Sequence, residues 1–491
     1  MSSPLPFTAS PAPLLAALSA VEVGIAALLI ALAVAASGHA IIYKREPRSA
    51  SLWFVVIWIL PAAGTLLYVL LGVNRVRRRA SALRRSMIRH RTHPPTPADA
   101  ADISRCAAEH LVPLMRLVGR VVTRPILAGN SVEVLINGRE AFPAMLAAIE
   151  GARTSVGLSS YIFDGEGIGL EFVDALAKAH RRGVAVRVLI DDFDARFSRK
   201  TAVAPLRAAG IAVGVFNPPF VPARINGVHL RNHRKILVID GDTGFTGGLN
   251  IDQRYWHPAR PEAAFRDLHF RLRGPVVAHL AEVFADDWQY TTGEALRGHK
   301  WFPPLASCGR TLARGIEAGP DENFERLRWA IVGAINAAHR TVRIVTPYFI
   351  PDSALIAALS AAALRGVEVD IFLPRHSDLA HVQWASRGQL WQVLEWGCRV
   401  WNVSGPFDHS KLLLVDSAWT LLGSANWDAR SLRLNFEFNV ECYCCELGAR
   451  LEQEIAARRV HAHAITPAQL KARPLLVKLR DGAARMFAPY L

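Results

Sequence analysis

Lysine is nearly absent from this 491-residue chain, with 8 copies against 49 of arginine. The bias accompanies an alanine-rich composition and reads as coding preference, so any lysine that persists draws attention. Cysteine is sparse too. Cys106, Cys308, Cys398, Cys442, Cys444 and Cys445 form no repeated Cys-x-x-Cys pair, and no histidine cluster has metal-ligand spacing, so neither a disulfide framework nor a zinc site is expected. The group from Cys442 to Cys445 falls in a strand-like run and is expected to be reduced and buried, which suits a reducing compartment. Acidic residues are outnumbered, 42 against 57 basic, which leaves a net charge of +15. That surplus calls for an anionic partner, whether nucleic acid, a lipid surface or a phosphate-bearing substrate, and charge alone does not choose. The length excludes a single small module and allows two or three domains with full cores.

Two long apolar runs stand near the N-terminus. Residues 23–42 and 52–73 carry no charge, and each run is long enough to cross a bilayer as a helix. A signal peptide fits the first poorly, because nothing before Val23 is basic and Glu22 sits where a positive region belongs. The loop between the runs holds Lys44, Arg45, Glu46 and Arg48. The second run is followed by Arg75, Arg77, Arg78, Arg79, Arg84, Arg85, Arg89 and Arg91 with no acid among them. Positive charge stays on the cytoplasmic side, so a two-helix transmembrane hairpin is predicted at 23–74, behind a tail of residues 1–22, with residue 75 onward in the cytoplasm. Residues 75–125 read as a basic juxtamembrane linker whose arginines also attract anionic headgroups.

The rest of the chain reads as two related halves. Ser160-Tyr161-Ile162-Phe163-Asp164 leads through a helix, apolar at Leu170, Phe172, Val173, Ala175 and Leu176, to Arg182-Gly183 and the strand-like run 184–190. Pro347-Tyr348-Phe349-Ile350-Pro351-Asp352 leads likewise to Arg365-Gly366 and the run 367–373. Strand, helix, glycine turn, strand is a βαβ signature and predicts a parallel or mixed sheet flanked by helices. Each half then closes on one motif. His233, Lys235 and Asp240 are followed by Asn250; His409, Lys411 and Asp416 are followed by Asn426. Both fit His-x-Lys-x4-Asp with the Asn 17 residues after the His, and two of the 8 lysines fall at the third motif position.

Side chains at i and i+2 of an extended strand share a face, so His233 projects with Lys235 and His409 with Lys411, a base beside a fixed positive charge. The Asp at i+7 has the other parity and is expected to support the strand end. Gly247, Gly248 and Gly423 are expected to let backbone approach a phosphate, and the amides of Asn250 and Asn426 to donate to its nonbridging oxygens. A phosphodiester is the natural fit.

These paired motifs resemble those of the phospholipase D superfamily. Over roughly residues 40–491 the chain is similar to the bacterial cardiolipin synthases in particular. The likeness includes Trp53, Trp58, Pro61, Gly64, Tyr68 and Gly72, then Gly319-Pro320-Asp321, Thr346-Pro347-Tyr348, Asn426-Trp427-Asp428-Ala429-Arg430-Ser431, Leu434-Asn435-Phe436-Glu437 and the tail 473–491. Phe265-Arg266-Asp267 stands where the family more often has Trp-Arg-Asp, and Glu395-Trp396-Gly397-Cys398 replaces a more usual turn.

The resemblance implies an α/β fold: two phospholipase D-like domains, at 126–310 and 311–491, related by an internal pseudo-twofold repeat and preceded by the hairpin. It implies catalysis by His233, Lys235, Asp240, His409, Lys411 and Asp416. One histidine attacks phosphorus to form a phosphohistidine, and the other protonates the leaving alcohol, then activates the incoming one. His233 is assigned as nucleophile, although near symmetry leaves the reverse open. Lys235, Lys411, Asn250 and Asn426 are expected to neutralise the transition state, with no metal and no cofactor. Each histidine needs a carboxylate on its other ring nitrogen, and Asp267 is assigned to His233 and Glu437 to His409. The implied reaction passes the phosphatidyl group of one phosphatidylglycerol to the terminal hydroxyl of a second, giving cardiolipin and glycerol at the membrane. Phosphatidylethanolamine as co-substrate and hydrolysis to phosphatidic acid stay open, whereas the apolar hairpin argues against nucleic acid as the partner.

Overall fold

Residues 20–44, 47–72, 98, 102, 108–192, 200–216, 231–321 and 323–488 are described in the computed structural model. Cys106 and the arginine run at 75–91 lie outside them. Contacts divide the chain into two compact units, Met1–Arg75 and Val76–Leu491.

In the first unit, α1 (Ala20–Tyr43) contains the stretch Glu22–Tyr43, which is long and apolar enough to cross a membrane. Ala33, Ala36 and Ala40, three and four residues apart, form a buried stripe against Ile57 and Tyr68, where small side chains let helices approach closely. The second run departs from the expected single helix over 52–73. It is divided into α2 (Pro47–Ile59) and α3 (Pro61–Leu67), followed by a π-helical turn over Tyr68–Gly72. Pro61 explains the break. It has no N–H for the carbonyl of Ile57 and its ring would clash there, so Leu60 leaves helical geometry at φ −129° and ψ 73°. A Cβ on Gly64 would collide with the Val56 carbonyl oxygen, so the close crossing after the break requires glycine.

The described residues of the second unit are built on a mixed sheet of 15 strands. Its first seven strands are β1 (Leu127–Ile136), β2 (Ser155–Ser160), β3 (Ala185–Asp191), β4 (Ala212–Phe216), β5 (Ile236–Ile239), β6 (Thr243–Gly247) and β7 (Leu268–Arg273). The next seven are β8 (Thr311–Ala318), β9 (Thr341–Val345), β10 (Glu368–Pro374), β11 (Arg399–Val403), β12 (Leu412–Val415), β13 (Trp419–Gly423) and β14 (Glu437–Tyr443), with β15 (Ala462–Ile465) added at one edge. Read outward from the centre, the orders are β1-β7-β6-β5-β2-β3-β4 and β8-β14-β13-β12-β9-β10-β11. β1 pairs antiparallel with β8 and joins the two sets.

Parallel pairing occurs within β2-β3-β4 and β9-β10-β11, where a chain must cross over the sheet to re-enter in the same direction. The helices Ile168–Arg181 and Ser353–Leu364 make two of these crossovers, burying Phe172 and Leu176 in one case and Leu355 and Leu359 in the other. Covered on both faces, β5 and β12 are buried at every residue, which accounts for their short apolar runs lacking a polar alternation. Charge also crosses the seam. Buried Arg124 donates to Glu282 at 3.0 Å in the first half and to Glu317 at 2.7 Å in the second. Losing one member of such a buried pair strands the other and costs about 3–5 kcal/mol.

Candidate active site

Each histidine-lysine pair lies in the extended segment that enters a strand, β5 for the first pair and β12 for the second. Each lysine curls back over its own segment: Lys235 Nζ donates to the His233 carbonyl at 2.8 Å, and Lys411 Nζ donates to that of His409. Backbone bridges draw these segments together across the halves. The His233 N–H donates to the Phe436 carbonyl at 2.9 Å and the Phe436 N–H to the Arg231 carbonyl at 2.8 Å; His409 N–H pairs with the Arg266 carbonyl at 2.8 Å and Arg266 N–H with the Phe407 carbonyl at 2.9 Å. Both bridges run parallel.

Those bridges decide which carboxylate meets which ring, and they correct the expected pairing. Glu437, one residue past Phe436, stands 3.1 Å from His233 Nδ1, and Asp267, one residue past Arg266, stands 3.0 Å from His409 Nδ1. Assignment within each half had given the opposite. Nothing in the spacing of a single half reveals that its carboxylate is delivered to the other half. A carboxyl group held at Nδ1 fixes each ring and leaves Nε2, which has no hydrogen bond among the described residues, as the nitrogen open to a substrate.

The two carboxylates differ in surroundings. Glu437 accepts the Ser424 hydroxyl at 2.5 Å and the Asn435 amide at 3.4 Å. Burial opposes its charge, but His233, Lys235 and Ser424 outweigh that and hold the carboxyl below its ordinary range. Besides its contact with His409, Asp267 accepts only the Leu268 N–H at 2.7 Å among the described residues, and burial pushes it up to about 8 against the pull of Lys411. Gly248 accounts for part of the contrast, since even a Cβ there would collide with an Asp267 oxygen. The glycines expected to approach phosphate therefore serve the sheet beneath: Gly248 faces Asp267, Gly247 faces His269 and Gly423 faces the Phe438 carbonyl.

Burial lowers both histidines from their ordinary value, with the neighbouring lysines adding to the effect. It also brings Lys235 down to about 7, with Lys411 opposing its charge, and Lys411 to about 8, while Glu437 and Asp267 favour both charges. Two buried cations that destabilise each other are relieved by an anion bound between them.

Asn250 accepts the Ile162 N–H at 3.3 Å and hydrogen-bonds Tyr255, whose hydroxyl lies 2.9 Å from His409 Nδ1. Asn426 is buried, and its side-chain oxygen has no partner among the described residues. The catalytic role that the motif implies for Asp240 and Asp416 does not fit their places, at the far ends of β5 and β12. Asp240 accepts the backbone N–H groups of Arg153, Thr154 and Ser155; Asp416 accepts those of His339, Arg340 and Thr341, and His110 Nε2 at 2.7 Å. They turn and anchor the strands, with φ near 51° at both.

Three tyrosines escaped sequence reasoning. Tyr255 was not singled out at all. Tyr161 stands in a strand-like run and Tyr348 both in such a run and in the family-like segment Thr346-Pro347-Tyr348, with no role expected of either, yet the Tyr161 ring is 4.9 Å from that of His233 and the Tyr348 ring 6.5 Å from that of His409. Lys235 Nζ also sits 5.3 Å from the Tyr161 ring centre. Their positions in the two repeats differ, which removed the one signal that marked the other site residues. Among the described residues no group of three His, Cys, Asp or Glu side chains is placed to hold a metal ion.

A doubled histidine-lysine site on joined α/β halves is the arrangement of phospholipase D-like proteins. A family described as "Cardiolipin synthase, PLD-like domain" matches residues 145–288 and 331–459, and one described as "Phospholipase_D-nuclease N-terminal" matches residues 31–72. A cardiolipin synthase of Geobacillus kaustophilus is 32% identical over 455 residues, 91% of this chain and 90% of that protein. The major cardiolipin synthase ClsA of Bacillus subtilis is 30% identical over 91% of this chain and 95% of its own length. Among solved structures, phosphatidylserine synthase of Haemophilus influenzae superposes with a TM-score of 0.61 at 17% identity, over 77% of this chain and 99% of that one, a likeness of fold. The chain belongs to the cardiolipin synthases, phosphatidyltransferases of the phospholipase D superfamily.

Proposed function

We propose that this enzyme makes cardiolipin and glycerol from two phosphatidylglycerol molecules through a phosphohistidine on His233. The observation that carries the assignment of roles is the unequal setting of the two carboxylates. Ionised Glu437 accepts His233 Nδ1–H, leaving a neutral Nε2 with its lone pair free to attack phosphorus. As the P–N bond forms and the P–O bond to glycerol breaks, His409 Nε2–H gives its proton to the departing oxygen. Asp267, which holds a proton near neutral pH, supplies Nδ1 of His409 in the same step. The terminal hydroxyl of the second phosphatidylglycerol then gives its proton to His409 Nε2, the Nδ1 proton passes back to Asp267, and the oxygen displaces His233. Lys235, Lys411 and the Asn426 amide face the equatorial oxygens, and Asn250 acts through Tyr255.

The matching strand orders and the two reciprocal bridges support a pseudo-twofold relation between halves, and the starts of β1 and β8 support domain limits at 126–310 and 311–491. The apolar segments within 23–74 are read as membrane-inserted more than once, with the catalytic halves cytoplasmic, because eight arginines and no acid follow the second segment. A reporter fused after Leu491 is expected to behave as cytoplasmic and one inserted at residues 46–50 as external; an external reporter after Leu491 reverses the orientation.

The substrate reading is tested by product analysis. Phosphatidylglycerol alone should yield cardiolipin and glycerol in near-equal amounts with little phosphatidic acid, and excess glycerol should drive the reaction backward, since one phosphodiester replaces another. Dominant phosphatidic acid would make the enzyme a hydrolytic phospholipase, and product formed only when phosphatidylethanolamine is added would change the co-substrate. In detergent micelles, EDTA is expected to leave the rate unchanged, because Lys235 and Lys411 meet the transition-state charge. Loss with EDTA, restored by one divalent ion, would oppose that role.

A further inference from the structure

The helix Leu475–Met486 sits on the catalytic unit with one face packed and the other bare. Successive residues turn by about 100°, and the face formed by Val477, Asp481, Ala484 and Ala488 turns inward. Ala484 and Ala488, like Tyr348, pack against the buried cluster of Ile350, Val382 and Ala385. A Cβ on Gly388 would press against the Asp481 backbone, which shows how closely this helix lies on the helix Ala380–Arg387. On the opposite side, Leu475, Leu476, Leu479, Met486 and Phe487 are 59–79% exposed and fall within an arc of about 120°.

Charge on the helix is equally one-sided. Asp481 is its one acid, and it is 1% exposed and held by Arg473 at 2.5 Å and Arg480 at 2.7 Å. The exposed charge that remains is cationic: Lys478 and Arg485 border the apolar arc on one edge, with Lys471 just before the helix, while Arg480 on the other edge is paired with Asp481. An exposed apolar stripe edged by cations has the composition of a helix lying in the headgroup layer of an anionic bilayer, where the aliphatic stems of Lys and Arg cover apolar surface and their heads reach phosphate.

We propose that this face docks on an anionic lipid bilayer and thereby sets the catalytic site at headgroup depth. The link to the site is short. Tyr348, which packs against the same buried cluster as Ala484, donates its hydroxyl to Asp378 at 2.7 Å just before the Ala380–Arg387 helix, and its ring lies 6.5 Å from that of His409. The proposal rests on the lipid-transfer reading only in that the substrate is a lipid.

The test uses the full chain reconstituted in vesicles of phosphatidylglycerol and phosphatidylethanolamine with a trace of phosphatidylcholine bearing a diazirine midway along one acyl chain. On irradiation the wild type should carry label within residues 475–487. Leu476→Glu/Leu479→Glu should lose at least tenfold of that label and raise the apparent KM for vesicle substrate about tenfold. Its kcat on dihexanoyl phosphatidylglycerol below the micellar limit should be unchanged, which shows the variant is folded. Lys478→Glu/Arg485→Glu should lose the label chiefly in vesicles rich in phosphatidylglycerol. Wild type that is active but unlabelled at 475–487, or a leucine variant with full label, overturns the proposal. So does a leucine variant whose oligomeric state changes in detergent, which would make the face a contact between copies. Wild type labelled at 475–487 but inactive on phosphatidylglycerol would support docking while sinking the proposed reaction.

Discussion

Replacing Glu437 by Gln is expected to lower the rate of transfer by about 10²–10⁴-fold and to do so through His233, although His409 is the motif histidine in the same half of the chain. The amide keeps the shape of the carboxylate but neither draws the Nδ1 proton as strongly nor offsets charge at the ring, and losses of this order accompany removal of a histidine-orienting acid. Because the 3.1 Å contact from Glu437 is to His233, the step that fails is formation of the covalent phosphatidyl-enzyme. Asp267→Asn should behave differently. His409 loses the group that resupplies its proton, so with a donor whose leaving group needs no proton, such as a phosphatidyl nitrophenol, the covalent enzyme still forms. It then resolves slowly. Rapid acid quench with radiolabelled donor separates the two: label should be nearly absent in the Glu437 variant and should accumulate in the Asp267 variant. The reverse pattern would return each carboxylate to the histidine of its own half.

A larger effect is expected from the histidines themselves. His233→Ala and His409→Ala should each reduce transfer between natural lipids by more than about 10³-fold, since each removes a bond-forming or proton-moving group outright. Both should still fold, because the backbone bridges at Phe436 and Arg266 use the main chain and survive the substitution. With the activated donor, His409→Ala retains the nucleophile and should trap the phosphatidyl group as an acid-labile, base-stable adduct on His233. Finding the adduct on His409 in the His233→Ala protein would reverse the assignment, and substantial turnover of natural lipid by either folded variant would end the two-histidine mechanism.

Much of the site could be read from residue order because its signal is local and repeated. His233 with Lys235 and His409 with Lys411 are two residues apart, and recurrence at the same distance from Asn250 and Asn426 separates them from chance. Asp267 and Glu437 were found as members of the site but matched to the wrong rings. That match is set by hydrogen bonds between segments 204 and 142 residues apart, from His233 to Glu437 and from Asp267 to His409. Tyr255 lies 154 residues from His409 and has no counterpart in the second repeat to mark it.

The same division runs through the fold. Apolar periodicity and the paired glycine turns were sufficient for two βαβ halves, because side-chain alternation and helix stops depend on neighbours a few residues away. Hydropathy was likewise sufficient to mark both apolar segments, but it counts side chains and is blind to the backbone. Pro61 contributes an apolar ring to that count while withholding an N–H and crowding a carbonyl, so a run long enough for one helix becomes two. By itself, then, the sequence determined the chemistry available to this protein: two bases, two cations and two acids in a doubled α/β frame beside apolar segments. Tertiary structure decided which acid serves which base and which side of the Leu475–Met486 helix is left bare, because both depend on long-range pairing that no local pattern encodes.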